Sequence, residues 1–230
     1  MGVILTTTVV TSSEQRGRLK SKQPGSWEWV TVIQGVGALG WALPLFVVVK
    51  GKFHLRLWYK DGQLPKTWKV YPSENGWTTN EITLDWVKHF NQYTRLQTIG
   101  VYRLLILDGH ESHYSIAFEE YCKNNSIITL CMPLHSSHLL QPLDVGCFSP
   151  LKKAYGTQIE MLMRGGQTYI TKDNFLRAFR TAFEVAITEK NIKGGFCGAG
   201  LLLFNVGVVT GLLDLQLKTP TPLSLRPGTS

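Results

Sequence analysis

The chain has 230 residues, a hydrophobic fraction of 43% and a net charge of +8, enough apolar material for a single domain with a sizeable core. Its longest apolar runs, residues 38–49 and 198–213, fall short of the roughly 18–20 residues a membrane span needs and are broken by Gly, Pro or Asn, which excludes a membrane-spanning helix and implies a soluble protein. The positive charge suits a polyanion such as nucleic acid, because Lys and Arg displace the counterions condensed on phosphates; a generally basic soluble protein fits it equally.

In chain order, the β-branched run Val3 to Val10 reads as a strand, and residues 11–25, carrying Arg16, Arg18, Lys20 and Lys22 at alternate positions, as a basic hairpin or exposed edge. Trp27 to Gly35 and Trp41 to Lys50 read as an antiparallel pair around a Gly-rich turn. Residues 51–77, with Pro65 and Pro72, read as a long connection with at most short elements. A cap at Thr78, Thr79 or Asn80 then opens a helix from Glu81 to Tyr93, whose Ile82, Trp86, Val87 and Phe90 recur at helical spacing. Arg103 to Leu107, Ile116 to Lys123 and Ile127 to Met132 form a strand-helix-strand unit with parallel strands. After a turn rich in His and Ser, one helix runs from about Val145 or Pro150 to Met163 and stops at Gly165-Gly166. A second spans Thr171 to Lys190 with Phe175, Ala178, Phe179, Ala182, Phe183 and Ala186 on one face. The tail from Thr219 is rich in proline and reads as disordered. The four cysteines, Cys122, Cys131, Cys147 and Cys197, form no CxxC pair and follow no signal peptide, which favours free, mostly buried thiols in a reduced intracellular compartment.

Two carboxylates stand out. Asp108 directly follows a buried strand, and ligands of open α/β sheets bind at the carboxyl ends of strands; a turn-forming Asp before Gly109 explains it as well. Asp144 opens a helix, where it could serve simply as an N-cap. If the strands ending at Leu107 and Met132 are neighbours, both acids leave the same sheet edge and could share Mg²⁺, as in two-metal displacement at phosphate. His110, His113, His135 and His138 offer zinc-like chemistry, although no thiol pair completes a site; positioning the aspartates or facing DNA are the alternatives. Lys152, Lys153 and Tyr155 could meet a nucleic-acid backbone or form a solvated face. Trp27, Trp29, Trp41 and Trp58 could stack on bases or sit in the core. Glu14 and Glu111 are further acids without a spacing argument.

The stretches Leu104-Leu-Ile-Leu-Asp-Gly-His-Glu-Ser-His113 and Leu130-Cys-Met-Pro-Leu-His-Ser-Ser-His-Leu-Leu-Gln-Pro-Leu-Asp-Val-Gly-Cys-Phe-Ser-Pro-Leu-Lys152 strongly resemble the DDE transposase superfamily, in its fungal pogo/Tigger-like branch. Trp27-Glu-Trp-Val-Thr-Val-Ile33, Gly40-Trp-Ala-Leu-Pro44, Ser73-Glu-Asn-Gly-Trp-Thr-Thr-Asn80 and Ile192-Lys-Gly-Gly-Phe-Cys-Gly-Ala-Gly200 are similar to the same family. The resemblance implies a nuclear, DNA-binding protein with an α/β, ribonuclease H-like mixed sheet flanked by helices. In that fold three acids bind Mg²⁺ or Mn²⁺ for DNA cleavage and strand transfer; Asp108 matches the second acid and Asp144 the third.

The first acid lies in an Asp-Glu-Thr-Gly type segment on the opening strand, expected just ahead of Met1, as is the family's helix-turn-helix region. Residues 1–190 are thus expected to form the endonuclease domain, incomplete at its start, and residues 191–230 a largely irregular extension. The expectation is a DNA-binding transposase remnant lacking activity, marginally folded, and able to self-associate through an exposed sheet edge. The alternative is a domesticated module that binds nucleic acid or protein without chemistry.

Overall fold

The computed structural model describes residues 30–52, 64–108, 115–167, 170–202 and 204–212. The expected strand at Val3 to Val10, the basic segment with Arg16, Arg18, Lys20 and Lys22, and the proline-rich tail lie outside them.

Two small sheets are flanked by helices. In the first, β1 (Val30–Ile33) pairs antiparallel with β2 (Phe46–Lys50), which pairs in parallel with β3 (Lys69–Ser73). The second pairs β4 (Arg103–Leu107) in parallel with β5 (Ile127–Cys131). The expected antiparallel pair and parallel strand-helix-strand unit are therefore both present. The strand β3, five residues long, is a short element of the connection expected over residues 51–77. Its Pro72 lies opposite Val49, and proline is tolerated because β3 is an edge strand whose outer side makes no ladder among the described residues.

The first sheet is buried on both faces, which explains the unbroken apolar run in β2. Phe46 and Val48 face a cluster with Ile82, Trp86, Val87 and Phe90 of α1 (Asn80–Thr94), Phe118 and Cys122 of α2 (Ile116–Asn124), and Leu105 and Leu107 of β4. Leu45, Val47 and Val49, one residue out of phase, face a second cluster. It holds Leu151 of α4 (Phe148–Arg164) and Leu176, Phe179, Ala182 and Ala186 of α5 (Lys172–Ala186). A strand's period of two sends alternate residues into the two layers.

The two sheets share the first cluster without a ladder between them among the described residues. Side chains alone join them there, so α1 and α2 carry the connection. The other face of the β4–β5 pair is open, with Leu104, Ile128 and Leu130 more than half exposed.

Helix α1 starts where Thr79 accepts a hydrogen bond from the Ile82 amide. Its end is tied to β4 by Arg103, which donates to Thr94 Oγ1 (2.9 Å) and to the Asn125 carbonyl (2.6 Å). The single helix expected over Thr171 to Lys190 is two. Ile187 leaves helical geometry (φ −91°, ψ 71°) and Thr188 caps α6 (Glu189–Gly198) by accepting from the Asn191 amide. Asn191 in turn donates to the Ala186 carbonyl (2.8 Å), closing α5.

All four thiols are free; Cys122 and Cys147 are buried, which pushes each up to about 11, while Cys197 is exposed. At pH 8 a thiol of pKa near 11 is roughly one part in a thousand thiolate, so a disulfide reagent should label Cys197 rapidly and Cys122 and Cys147 only on unfolding. Phe118→Ala, at a fully buried position, should cost about 3–5 kcal/mol in urea denaturation. Leu104→Ala, on the open face, should change stability by less than about 0.5 kcal/mol.

Candidate functional site

The register of β4 and β5 decides where the acids emerge. Leu107 is level with Cys131, and the Met132 amide donates to the Leu107 carbonyl (2.9 Å), so both strands end side by side. Asp108, exposed, is the first residue beyond β4, and the loop beginning at Met132 leaves the sheet beside it.

That loop turns at once. The Ser136 side chain donates to the Pro133 carbonyl (2.6 Å), and His135 takes a left-handed conformation (φ 62°). A short helix α3 (Ser137–Leu140) follows, then a π-helical turn over Leu143–Cys147 that runs into α4. Asp144, half-buried, sits inside this turn, whose first residue is preceded by Pro142. It is therefore not the N-cap of the following helix. π-Bulges of this kind frequently mark functional positions.

The turn is held by backbone packed on backbone. A Cβ on Gly146 would lie 2.4 Å from the Asn191 carbonyl oxygen and 2.7 Å from Gly195 Cα; one on Gly195 would lie 2.2 Å from the Pro142 oxygen. Leu143 and Cys147 pack with Ile192 and Phe196 of α6 in a third small cluster. Helix α6 thus positions Asp144. The glycines of the Ile192 to Gly200 motif are what permit this approach.

His138 is exposed on α3, and Lys152 and Lys153 are exposed on α4. Tyr155 instead turns into the α4–α5 interface against Phe175 (5.7 Å between ring centres) and Phe179 (6.2 Å), and burial pushes its phenol up to about 12. It is a core residue rather than a nucleic-acid contact. Trp41 likewise packs against the first core cluster. His110, Glu111, His113, Glu14, Trp27, Trp29 and Trp58 lie outside the described residues.

Among the described residues no three His, Cys, Asp or Glu side chains come together as a metal-binding group. Asp108 and Asp144 suit Mg²⁺ or Mn²⁺ in kind, being hard oxygen donors. In number they fall short of a three-acid site.

Residues 26–196 match the DDE superfamily endonuclease family, and the chain belongs to it. It is 25% identical over 212 residues to the mouse (Mus musculus) "Pogo transposable element with KRAB domain", covering 86% of this chain and 33% of that protein, which marks it as pogo-like. It is also 52% identical over 222 residues to the "MFS-type transporter clz9" of Cochliobolus lunatus, covering 96% of this chain and 24% of that protein. The "Chaetoglobosin A biosynthesis cluster protein C" of Chaetomium globosum is 51% identical over 78 residues, 34% of this chain and 19% of that protein. The chain thus spans between a fifth and a third of these relatives. No solved structure matches. No described helix is long and apolar enough to cross a membrane.

Gly195→Ala should force α6 away from the Pro142 carbonyl and lower stability by about 1–3 kcal/mol. Gly194→Ala, with open space at its Cβ position, should be neutral or slightly stabilising. Thermal melts of the two variants check the contrast.

Proposed function

We propose that the chain is the DNA-binding core of a transposase-derived endonuclease, and that these 230 residues alone bind DNA without cutting it. The family match over residues 26–196 carries this reading. Two further observations support it: Asp108 lies at the carboxyl end of the β4–β5 pair, and the chain after Met132 leaves that same end toward Asp144.

The proposed fold is ribonuclease H-like. A further strand lying antiparallel to β1 and parallel to β4 would turn the two small sheets into one and cover edges that make no ladder among the described residues. By the resemblance, that strand bears the first acid. With all three acids present, Mg²⁺ or Mn²⁺ would supply Lewis-acid activation of the phosphate. Of the described residues, Asp108 and Asp144 would contribute ligands, and His138, Lys152 and Lys153 would face the polyanion. The expected compartment is the nucleus. The transporter name of the Cochliobolus relative belongs to a protein of which this chain spans 24%.

A second reading, a module that binds protein or its own copy, is favoured by one observation: the open face carrying Leu104, Ile128 and Leu130. Apolar patches of this kind mark interaction sites.

Duplex DNA binding followed by fluorescence anisotropy should weaken steeply with KCl. Asp108→Ala and Asp144→Ala should leave the affinity within about twofold, since neither acid attracts phosphate. Supercoiled plasmid with Mg²⁺ or Mn²⁺ should stay intact. Absence of any DNA affinity at low salt would overturn the proposal, and nicking abolished by Asp108→Ala would overturn its inactive half. A dimer in light scattering that Leu130→Glu dissociates would favour the second reading.

A further inference from the structure

A cavity of about 300 Å³ opens between the turn leading into β3 and one face of α1. Lys66, Thr67, Trp68 and Lys69 line it from the turn, and Asp85, Lys88, His89, Gln92 and Tyr93 from the helix. The helical residues recur at spacings of three and four, so a single face of α1 forms the wall.

The lining chemistry is that of an anion site. Three lysines and one aspartate line it, and the aspartate is already committed. Asp85 receives Lys69 Nζ at 3.6 Å on one oxygen and Lys88 Nζ at 3.5 Å on the other. Lys69 is held further by the Phe46 and Tyr71 rings, 5.3 and 5.9 Å from its nitrogen. Lys66 makes no ion pair among the described residues. It projects from a turn closed by the Trp68 amide donating to the Pro65 carbonyl (3.0 Å), while Trp68 itself is anchored in the core. Thr67, Gln92 and Tyr93 add neutral donors.

His89 adds no charge. A carbonyl only accepts, so the 2.8 Å contact of its Nε2 with the Pro44 oxygen fixes the proton on Nε2. Burial holds the ring below its ordinary pKa and hence neutral.

The cavity is separate from the acids. Tyr93 precedes Thr94, which is bonded to Arg103 at the start of β4, whereas Asp108 follows the end of that strand. A five-residue strand at about 3.3 Å per residue puts roughly 16 Å between these ends.

The geometry points to a phosphate-binding site formed by Lys66, Lys69 and Lys88, lined by neither Asp108 nor Asp144, that holds a phosphate group with its charged oxygens toward the three ammonium groups. The phosphate could come from a DNA backbone or from free phosphate. The first source rests on the nucleic-acid reading above, and the second does not. A backbone phosphate gripped here would act as a second anchor for duplex extending past the carboxyl end of the β4–β5 pair.

The double variant Lys66→Gln/Lys88→Gln tests the assignment. It spares Lys69, whose ring contacts are structural, and its unfolding midpoint in chloride should equal that of the unmodified chain. For a backbone phosphate, the slope of log affinity against log salt for duplex DNA should become shallower by about one. For free phosphate, inorganic phosphate should raise the melting temperature of the unmodified chain by about 2–4 °C over chloride of equal ionic strength. The variant should lose that increment, which separates binding from the general salting effect of phosphate. Either loss supports the site and identifies its source. An unchanged slope together with an unchanged phosphate increment overturns it. If the unmodified chain binds no DNA, the function proposed above fails, and the phosphate increment alone decides the site.

Discussion

The parallel, in-register pairing of β4 with β5 is the constraint on which the rest of the site depends. It is closed at both ends: the Arg103 amide donates to the Ser126 carbonyl (3.0 Å) at the start, and the Met132 amide to the Leu107 carbonyl (2.9 Å) at the finish. A slip of one residue would turn Leu105 and Leu107 out of the core and Leu104 into it. Only the observed register buries Leu105 and Leu107 beside Phe118 and Trp86 while leaving Asp108 at the rim. The packing that stabilises the pair therefore also sets where Asp108 emerges.

The position of Asp144 depends on a different kind of contact. Asp144 sits in a π-helical turn pressed against α6 so closely that Gly146 and Gly195 have no room for a methyl group. Helices beyond residue 186 are thus part of the scaffold of the site, in keeping with a family match that runs to residue 196. The two ends of the described chain cooperate: β2, buried on both faces, seats α1 on one side and the α4–α5 pair on the other.

Much of this was legible in the sequence where one physical signal dominated. Helix α1 declared itself by Ile82, Trp86, Val87 and Phe90, and β4 by a wholly apolar run ending at a carboxylate. The chemistry of Asp108 and Asp144 came from motif resemblance, since turn and cap roles explain each acid separately. Strand β3 was hidden because Pro72 argues against a strand unless its edge position is known, which only the sheet reveals. The break between α5 and α6 was written locally, in Thr188 and Asn191 three residues on, but an uninterrupted apolar face masked it. Tyr155 was ambiguous for a related reason: on a basic helix an aromatic serves a polyanion or a neighbouring helix equally well. The stack with Phe175 and Phe179 decides it. The cavity around Lys66 and Lys88 brings together residues from a turn and a helix that no linear spacing connects.

Central to the proposed function is one site shared by Asp108 and Asp144 at the carboxyl end of β4 and β5. Amide line broadening on adding substoichiometric Mn²⁺ measures this most directly, because a paramagnetic ion relaxes the nuclei nearest to it. The amides of Leu107 and Asp108 and those of Leu143 to Gly146 should broaden together, and Asp108→Ala should relieve both segments. Broadening confined to one segment, or persisting at the Asp144 turn in Asp108→Ala, would contradict it.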